Sequence, residues 1–192
     1  MSDADDSPFR KFARDYQARF RRAVDEWDLE ALEALAEVLD AARARGATVL
    51  IAGNGGSAAI ANHAECDASK GTFVDGRAPL NSRSLSANTS VLTAIGNDLG
   101  YPAIFEKQVE LYGKPGDVLV LVSSKGSSPN VVNACRAASE RGLVTVALVG
   151  FDGGSLRGLA DCVVHVPAEN YGIVEDMHQA CLHLVTQFLR GG

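Results

Sequence analysis

Residues 47–57, Ala-Thr-Val-Leu-Ile-Ala-Gly-Asn-Gly-Gly-Ser, decide the fold of this chain. The largely apolar run at positions 47–52 is bounded by Gly46 and Gly53, which predicts a short strand buried on both faces. The glycine-rich turn that follows ends at Ser57, a residue able to cap a helix. A strand, a tight turn and a helix in succession are the repeating unit of an α/β protein.

The same succession recurs along the chain. Further apolar strands are predicted at 117–122, 144–149 and 162–166, with a weaker one near 82–86. Helical periodicity is found at 57–69, 129–141, briefly near Leu156, and at 171–189. Before the first strand, residues 9–45 predict two helices broken near Trp27 and Asp28, the second with an apolar stripe. Apolar parallel strands joined by right-handed crossovers predict an α/β fold, a doubly wound parallel sheet sandwich with two leading helices.

One domain, residues 1–192, is predicted, because the chain has no internal repeat, proline-rich linker or break in composition. It consists of an N-terminal helical segment, 1–46, and an α/β core, 47–192. Its 192 residues are 46% hydrophobic and 22% charged, which is typical of a globular protein.

Charge and hydropathy restrict the possible partners and the compartment. A net charge of −6 without a long basic run argues against nucleic-acid binding. The acidic, polar start Met1–Ser7 differs from a signal peptide, and no apolar stretch is long enough to span a membrane. The four cysteines form no C-x-x-C pair, and three of them lie among apolar neighbours in predicted helices or strands, where a free thiol packs as a small hydrophobic side chain. A cytoplasmic protein without membrane contact is therefore expected.

Ligands of doubly wound folds bind beyond the carboxyl ends of the strands, so two loops are candidate sites. The turn 53–57 offers free amides at a helix start to an anion or a polar sugar, although glycine is also common in such turns for steric reasons alone. The loop 123–128, Ser-Ser-Lys-Gly-Ser-Ser, provides four hydroxyls and one ammonium before Pro129, a preferred first helical residue. This loop predicts phosphate binding, the alternative being a capping turn with a solvated lysine. The loop 150–154 is interpreted as a structural turn.

Two predicted helices carry groups that suit a metal ion or proton transfer. His63 and Asp67 are four residues apart and share a helix face, whereas Glu65 points elsewhere and is expected in solvent. On the last helix Glu175, Gln179 and His183 form one stripe, with His178 on an adjacent face; His165 is expected to be packed. A carboxylate and an imidazole from each helix make an N/O set that zinc and other divalent ions accept. The alternatives are an ordinary polar contact and a polar oligomer interface.

In combination and in order, these motifs resemble the phosphoheptose isomerases of the sugar isomerase (SIS) superfamily. The resemblance rests on Gly53–Ser57, His63, Gly96–Asp98, the loop 123–128 with the Pro-Asn-Val that follows it, and the His178 to His183 helix. It covers nearly the whole chain and implies a flavodoxin-like SIS fold. It also implies aldose–ketose isomerisation of sedoheptulose 7-phosphate to D-glycero-D-manno-heptose 7-phosphate through an enediol, in a homotetramer with sites between subunits.

The resemblance also assigns roles to individual residues. Asp67 and His183 are implied as catalytic groups. A zinc ion, one per subunit, is implied on His63, Asp67, Glu175 and His183. The implied substrate contacts are Asn54, Gly55, Gly56, Ser57, Asp67, Asn97, Asp98, Ser123, Ser124, Lys125, Ser128 and Glu175.

Three residues depart from the family pattern, and all are at the site. Asp67 stands where the family has glutamate, and its side chain is shorter by one methylene. Glu175 replaces a glutamine and adds a negative charge. Lys125 occupies a position in the phosphate loop where serine is usual. Asp67 cannot freely ligate a metal and act as a base at once, so one ligand is expected to leave the metal during turnover. Two alternatives therefore stay open: an isomerase of another ketose phosphate, and a non-catalytic SIS protein that binds a sugar phosphate or a partner.

Overall fold

The computed structural model describes residues 7–191, and a five-stranded, all-parallel sheet forms its centre. The strand order is β2-β1-β3-β4-β5, so the predicted doubly wound α/β class is confirmed. The strands are β1 (Thr48–Gly53), β2 (Asn81–Ser84), β3 (Val118–Ser123), β4 (Val144–Val149) and β5 (Cys162–His165).

Eight α-helices surround the sheet in the described part of the chain. They are α1 (Pro8–Asp25), α2 (Leu29–Ala44), α3 (Gly56–Cys66), α4 (Thr89–Leu99), α5 (Glu106–Tyr112), α6 (Pro129–Glu140), α7 (Leu156–Leu159) and α8 (Tyr171–Gly191). The predicted break between the two leading helices is confirmed, because the Asp28 carboxylate caps α2 by accepting from the Ala31 amide at 3.1 Å.

The sequence did not predict α4 and α5. No residue of α4 is fully buried, since Leu92 and Ile95 pack only partly against the core, and α5 has only seven residues. Periodicity identifies a helix through the face that it buries, and neither helix has a long one.

Both faces of the sheet are covered by apolar side chains, and β3 shows the alternation most clearly. Val118, Val120 and Val122 pack with α2, α3 and α8, whereas Leu119 and Leu121 pack with α5 and α6. All six residues of β3 are buried. A central strand buried on both faces has apolar residues at nearly every position, which is why the sequence predicts these strands.

Helix α2 contributes Leu32, Leu35 and Leu39 to the same core cluster as the sheet. This shared core favours the single-domain expectation, which stays a prediction. No helix among residues 7–191 combines the length and apolar character needed to cross a membrane. Residues 1–6, which hold most of the acidic start, and Gly192 lie outside the described residues.

The topology places two loops side by side. Helix α3, which follows β1, packs on one face of the sheet, and α6, which follows neighbouring β3, packs on the other. The chain thus leaves two adjacent strands in opposite directions, which opens a crevice between the two loops.

Candidate active site

A reciprocal amide pair joins the loops after β1 and β3. Asn54 Nδ2 donates to Asn130 Oδ1 at 3.0 Å, and Asn130 Nδ2 donates to Asn54 Oδ1 at 2.8 Å. The Tyr101 hydroxyl also donates to Asn54 Oδ1, at 2.8 Å. Asn130 is 1% exposed, so its side chain serves this pair and the adjacent helix start rather than solvent. The two loops are therefore held in a fixed relation.

Between these loops lies a cavity of about 200 Å³, which we call the serine pocket. It contains seven of the residues that the sequence analysis assigned to substrate binding, together with Val122, Ser127 and Tyr171. Those seven residues are Asn54, Ser57, Ser123, Ser124, Lys125, Ser128 and Glu175. Hydroxyls, one ammonium and the start of α6 thus surround one small volume, an arrangement that suits an anionic ester.

The Glu175 carboxylate lies against the first turn of α3. A Cβ atom on Gly56 would come within 2.4 Å of Glu175 Oε2, so only glycine allows this approach. A carboxylate at a helix N-terminus is favoured by the helix dipole. Gly55, with a φ of 54°, and Gly56 form the turn beside the pocket but do not line it.

A second cluster, His63, Asp67 and His183, lies farther along α3 and α8. The Asp67 Oδ2 atom is 3.2 Å from His63 Nε2 and 3.3 Å from His183 Nε2, and the two Nε2 atoms are 2.9 Å apart. Gln179 Nε2 lies 2.9 Å from His183 Nε2. Asp67 begins a π-helical turn, Asp67–Gly71, that continues α3; such turns are frequent at functional sites.

The donor set of this cluster fits a divalent cation. Two imidazole nitrogens and a carboxylate oxygen lie within 4.8 Å of one another. Three N/O ligands with an open remaining position are the pattern of catalytic zinc sites. The cluster borders a cavity of about 300 Å³, so a substrate atom has room beside it.

Other predicted site residues lie outside these two groups. Glu175 is in the serine pocket and not in the His63–Asp67–His183 cluster, and its role as a metal ligand stays a prediction. Asn97 and Asp98 are exposed near the end of α4, where Asn97 Nδ2 donates to Asp98 Oδ1 at 2.8 Å. They line neither the serine pocket nor the cavity beside the cluster, so their contact with substrate also stays a prediction.

Three residues outside the site bear on the sequence interpretation. Glu65 is not a free solvated side chain: its Oε2 accepts from the Ser84 amide at 2.8 Å, because α3 packs against β2. His165 is half-buried and its Nε2 contacts the Phe151 carbonyl at 2.8 Å, as expected for a packed residue. His178 is fully buried, and burial lowers its pKa to about 4, partly opposed by the nearby Val149 carbonyl.

The cysteines are all free, but they are not all packed. Cys135 and Cys181 are buried, Cys162 is half-buried and Cys66 is exposed. Burial raises the pKa of the Cys181 thiol to about 12, so that thiol stays protonated.

Sequence reasoning missed several residues at the site. Asn130 was visible only as part of a motif, and Tyr101 and Tyr171 gave no signal. Their contacts join segments that are far apart in the chain: Tyr101 and Asn54 are 47 positions apart, and Asn54 and Asn130 are 76 apart. Only the fold shows such pairs.

Comparison with protein families gives a match to the SIS domain over residues 11–150. The phosphoheptose isomerase of Rhodospirillum rubrum is 41% identical over 155 residues, which is 81% of this chain and 82% of that protein. The probable phosphoheptose isomerase of Thermoplasma acidophilum is 36% identical, over 90% of this chain and 94% of its own.

Solved structures give the same result. Phosphoheptose isomerase GmhA from Neisseria gonorrhoeae superposes with a TM-score of 0.87 at 32% identity, covering 94% of this chain and 98% of that chain. A phosphoheptose isomerase from Francisella tularensis superposes with a TM-score of 0.88 at 25% identity, covering 97% of this chain and all of that one.

Proposed function

The chain belongs to the SIS-domain family and, within it, to the phosphoheptose isomerases, and we propose from this premise that its two side-chain groups form one active site. The reaction is the interconversion of sedoheptulose 7-phosphate and D-glycero-D-manno-heptose 7-phosphate, an aldose–ketose isomerisation. The observation that carries the proposal is that α3 and α8 connect the serine pocket to the His63–Asp67–His183 cluster.

The serine pocket binds the phosphate group. Its hydroxyls and the Lys125 ammonium donate hydrogen bonds, which a phosphate monoester accepts, and the positive end of the α6 dipole adds to the attraction. Asn54 and Ser57 on the opposite wall orient the sugar hydroxyls. Gly55 and Gly56 let the chain approach the substrate closely, and Asn97 and Asp98 complete the polyol contacts.

The distance between the two groups suits a long substrate. Glu175 lines the pocket and His183 belongs to the cluster, and eight residues of α8 separate them, a rise of roughly 12 Å. An extended seven-carbon sugar phosphate can place its phosphate in the pocket and its C1 and C2 atoms at the cluster.

Asp67 and His183 transfer the protons. The Asp67 carboxylate takes the proton from C1 of the ketose, which leaves a cis-enediol, and returns a proton to C2. His183 donates a proton to the C2 oxygen and accepts the one on the C1 oxygen, so atoms and charge balance over the cycle. Their atoms are 3.3 Å apart, close enough to serve neighbouring carbons.

We assign the resident metal as zinc, which His63, Asp67 and His183 would hold; Glu175 lies in the serine pocket, and its predicted role as a ligand is not part of this assignment. When bound, such an ion acts as a Lewis acid that polarises the sugar's carbonyl and hydroxyl oxygens. His63 serves only to bind, whereas Asp67 is shared between binding and proton transfer.

The active protein is a cytoplasmic homotetramer with a small-molecule substrate, and it contacts neither nucleic acid nor membrane. In support of assembly, α4 fully buries none of its residues within the chain, and large apolar side chains on other helices are exposed. These include Phe9, Phe12, Leu184 and Phe188.

The test is an NMR assay of the zinc-supplemented protein with sedoheptulose 7-phosphate in D₂O. We expect an aldoheptose phosphate to form with deuterium at C2. Asp67→Asn removes the base and should abolish both turnover and deuterium exchange. Glu65→Gln is the matched control, because the same carboxylate-to-amide change lies on the same helix, two residues away and outside the cluster.

Retained exchange in Asp67→Asn would refute the assignment of the base. No turnover and no exchange in the metal-loaded wild type would refute the substrate and favour another sugar phosphate. A loss of exchange in Glu65→Gln as large as in Asp67→Asn would show that the effect is structural.

A further inference from the structure

The loops after β3 and β4 are fixed to each other through their backbones. The Gly150 amide donates to the Ser124 carbonyl at 2.8 Å, and the Leu156 amide donates to the Gly126 carbonyl at 3.0 Å. A Cβ on Gly126 would lie 2.0 Å from the Gly153 carbonyl oxygen, so the two turns touch directly. Lys125 therefore stands on a backbone whose position depends on the loop 150–154.

Phe151, in that second loop, has an unfavourable backbone conformation. Its φ is 49°, and it is the one non-glycine residue among positions 7–191 with a positive φ. The same loop has glycine at its other left-handed positions, Gly153 and Gly154. A bulky residue in this region is strained and is retained only where its surroundings hold it in place.

The surroundings of Phe151 do hold it in place. Its amide donates to the Ala168 carbonyl at 3.0 Å, and its carbonyl accepts from His165 Nε2 at 2.8 Å. The Phe151 backbone is thus anchored through both its amide and its carbonyl.

The Phe151 ring and the Tyr171 ring together face Lys125. The two ring centroids are 4.9 Å apart at 54°, and the Lys125 Nζ atom is 5.6 Å from the first and 5.5 Å from the second. Both distances are within the range of cation–π attraction. Lys125 and Tyr171 line the serine pocket, so this contact holds the ammonium at the wall of the pocket.

We propose that Phe151 and Tyr171 form an aromatic seat that positions the Lys125 ammonium for the phosphate group and thereby raises the affinity of the serine pocket for phosphate. The inference rests on the proposed function, because it takes that pocket as the phosphate site. Lysine is a flexible point charge, and a seat that restricts its rotamers lowers the entropy lost when phosphate binds. The seat is a positioning element, and Lys125 makes the contact.

A purely structural role of Phe151 is the competing explanation, because its ring also packs against the core around Ile173 and Met177. Phe151→Leu distinguishes the positioning role from the structural role, since leucine keeps the apolar volume in the core but lacks the aromatic face that attracts the ammonium. The probe is inorganic phosphate, with its Kd measured calorimetrically on the full chain at fixed ionic strength. This measurement needs no turnover, so it is independent of whether the sugar is correctly identified.

We expect Lys125→Met to raise the phosphate Kd about tenfold or more, as the loss of a charge-assisted hydrogen bond does. With Lys125 present, Phe151→Leu should raise the phosphate Kd roughly two- to fivefold, which corresponds to the loss of a partly exposed cation–π contact. In the Lys125→Met variant the same substitution should leave the Kd unchanged. Phe151→Tyr, which keeps the ring, should restore the affinity that Phe151→Leu loses.

Tyr112→Leu is the matched control. Its ring contacts the Arg83 guanidinium at 4.4 Å in another cation–π pair, away from the serine pocket, so phosphate affinity should not change. If Phe151→Leu does not fold, Tyr171→Leu replaces it, because that side chain is half-exposed. An equal effect of Phe151→Leu in both backgrounds, no effect in either, or tighter phosphate binding would each overturn the proposal.

Discussion

Replacing Asn130 by alanine tests whether the amide pair across the crevice holds the site together. The change removes both hydrogen bonds with Asn54 and a third, in which Asn130 Oδ1 accepts from the Val131 amide at 3.0 Å. A buried hydrogen bond contributes about 0.5–1.5 kcal/mol net. Asn54 is half-buried, so water replaces part of what it loses.

The free energy of unfolding should therefore fall by about 2–3 kcal/mol. For a chain of this size that lowers the thermal midpoint by roughly 4–12 °C. The KM for sedoheptulose 7-phosphate should rise, because the Asn54 side chain keeps only its hydrogen bond with the Tyr101 hydroxyl. Urea unfolding, calorimetry at one fixed protein concentration and steady-state kinetics measure the three effects.

Asn133→Ala is the control for this prediction. The same substitution is made on the same helix one turn later, where the half-buried Asn133 side chain donates a single long hydrogen bond, 3.3 Å, to the Pro102 carbonyl. Its cost should stay within about 0.5 kcal/mol. Equal destabilisation by the two substitutions, or an unchanged KM in Asn130→Ala, would refute the reasoning.

Two further predictions concern backbone packing and pH. Gly126→Ala should destabilise the protein by more than roughly 3 kcal/mol, because the new Cβ would be 2.0 Å from a backbone carbonyl oxygen. Gly116 also has a left-handed backbone but lies in open space, so Gly116→Ala should cost only about 1 kcal/mol. Similar urea midpoints for the two variants would contradict this prediction. Burial lowers the pKa of His178 from 6.5 to about 4, so His178 is neutral in the folded protein at pH 7. As the pH falls, this histidine is protonated in the unfolded chain before it is protonated in the folded one, and stability is lost between these two pKa values. The free energy of unfolding of the wild type should therefore fall by roughly 2–3 kcal/mol between pH 7 and 4.5, a loss that His178→Leu avoids. If urea unfolding gives the two proteins the same dependence of this free energy on pH, His178 is not buried in its neutral form.

The sequence alone determined the fold class, because strands buried on both faces must be apolar throughout. Residues 117–122 and 144–149 were visible for that reason, and glycine and serine after the strands marked the crevice. It also identified His63 and Asp67 as neighbours, because helical spacing is a local property. It did not predict α4, which fully buries no side chain within the chain.

Only the tertiary structure decided which distant residues meet. His183 comes within 3.3 Å of Asp67 across 116 positions, while Glu175 on the same stripe reaches the start of α3 instead. The packing of α8 against α3 decides this, and no spacing rule contains it. Phe151 belongs to a loop whose sequence predicts only a structural turn, yet its ring centroid lies 5.6 Å from the ammonium of Lys125, 26 positions earlier. Local patterns determine which face of an element is buried, and the packing of elements determines which side chains share a site.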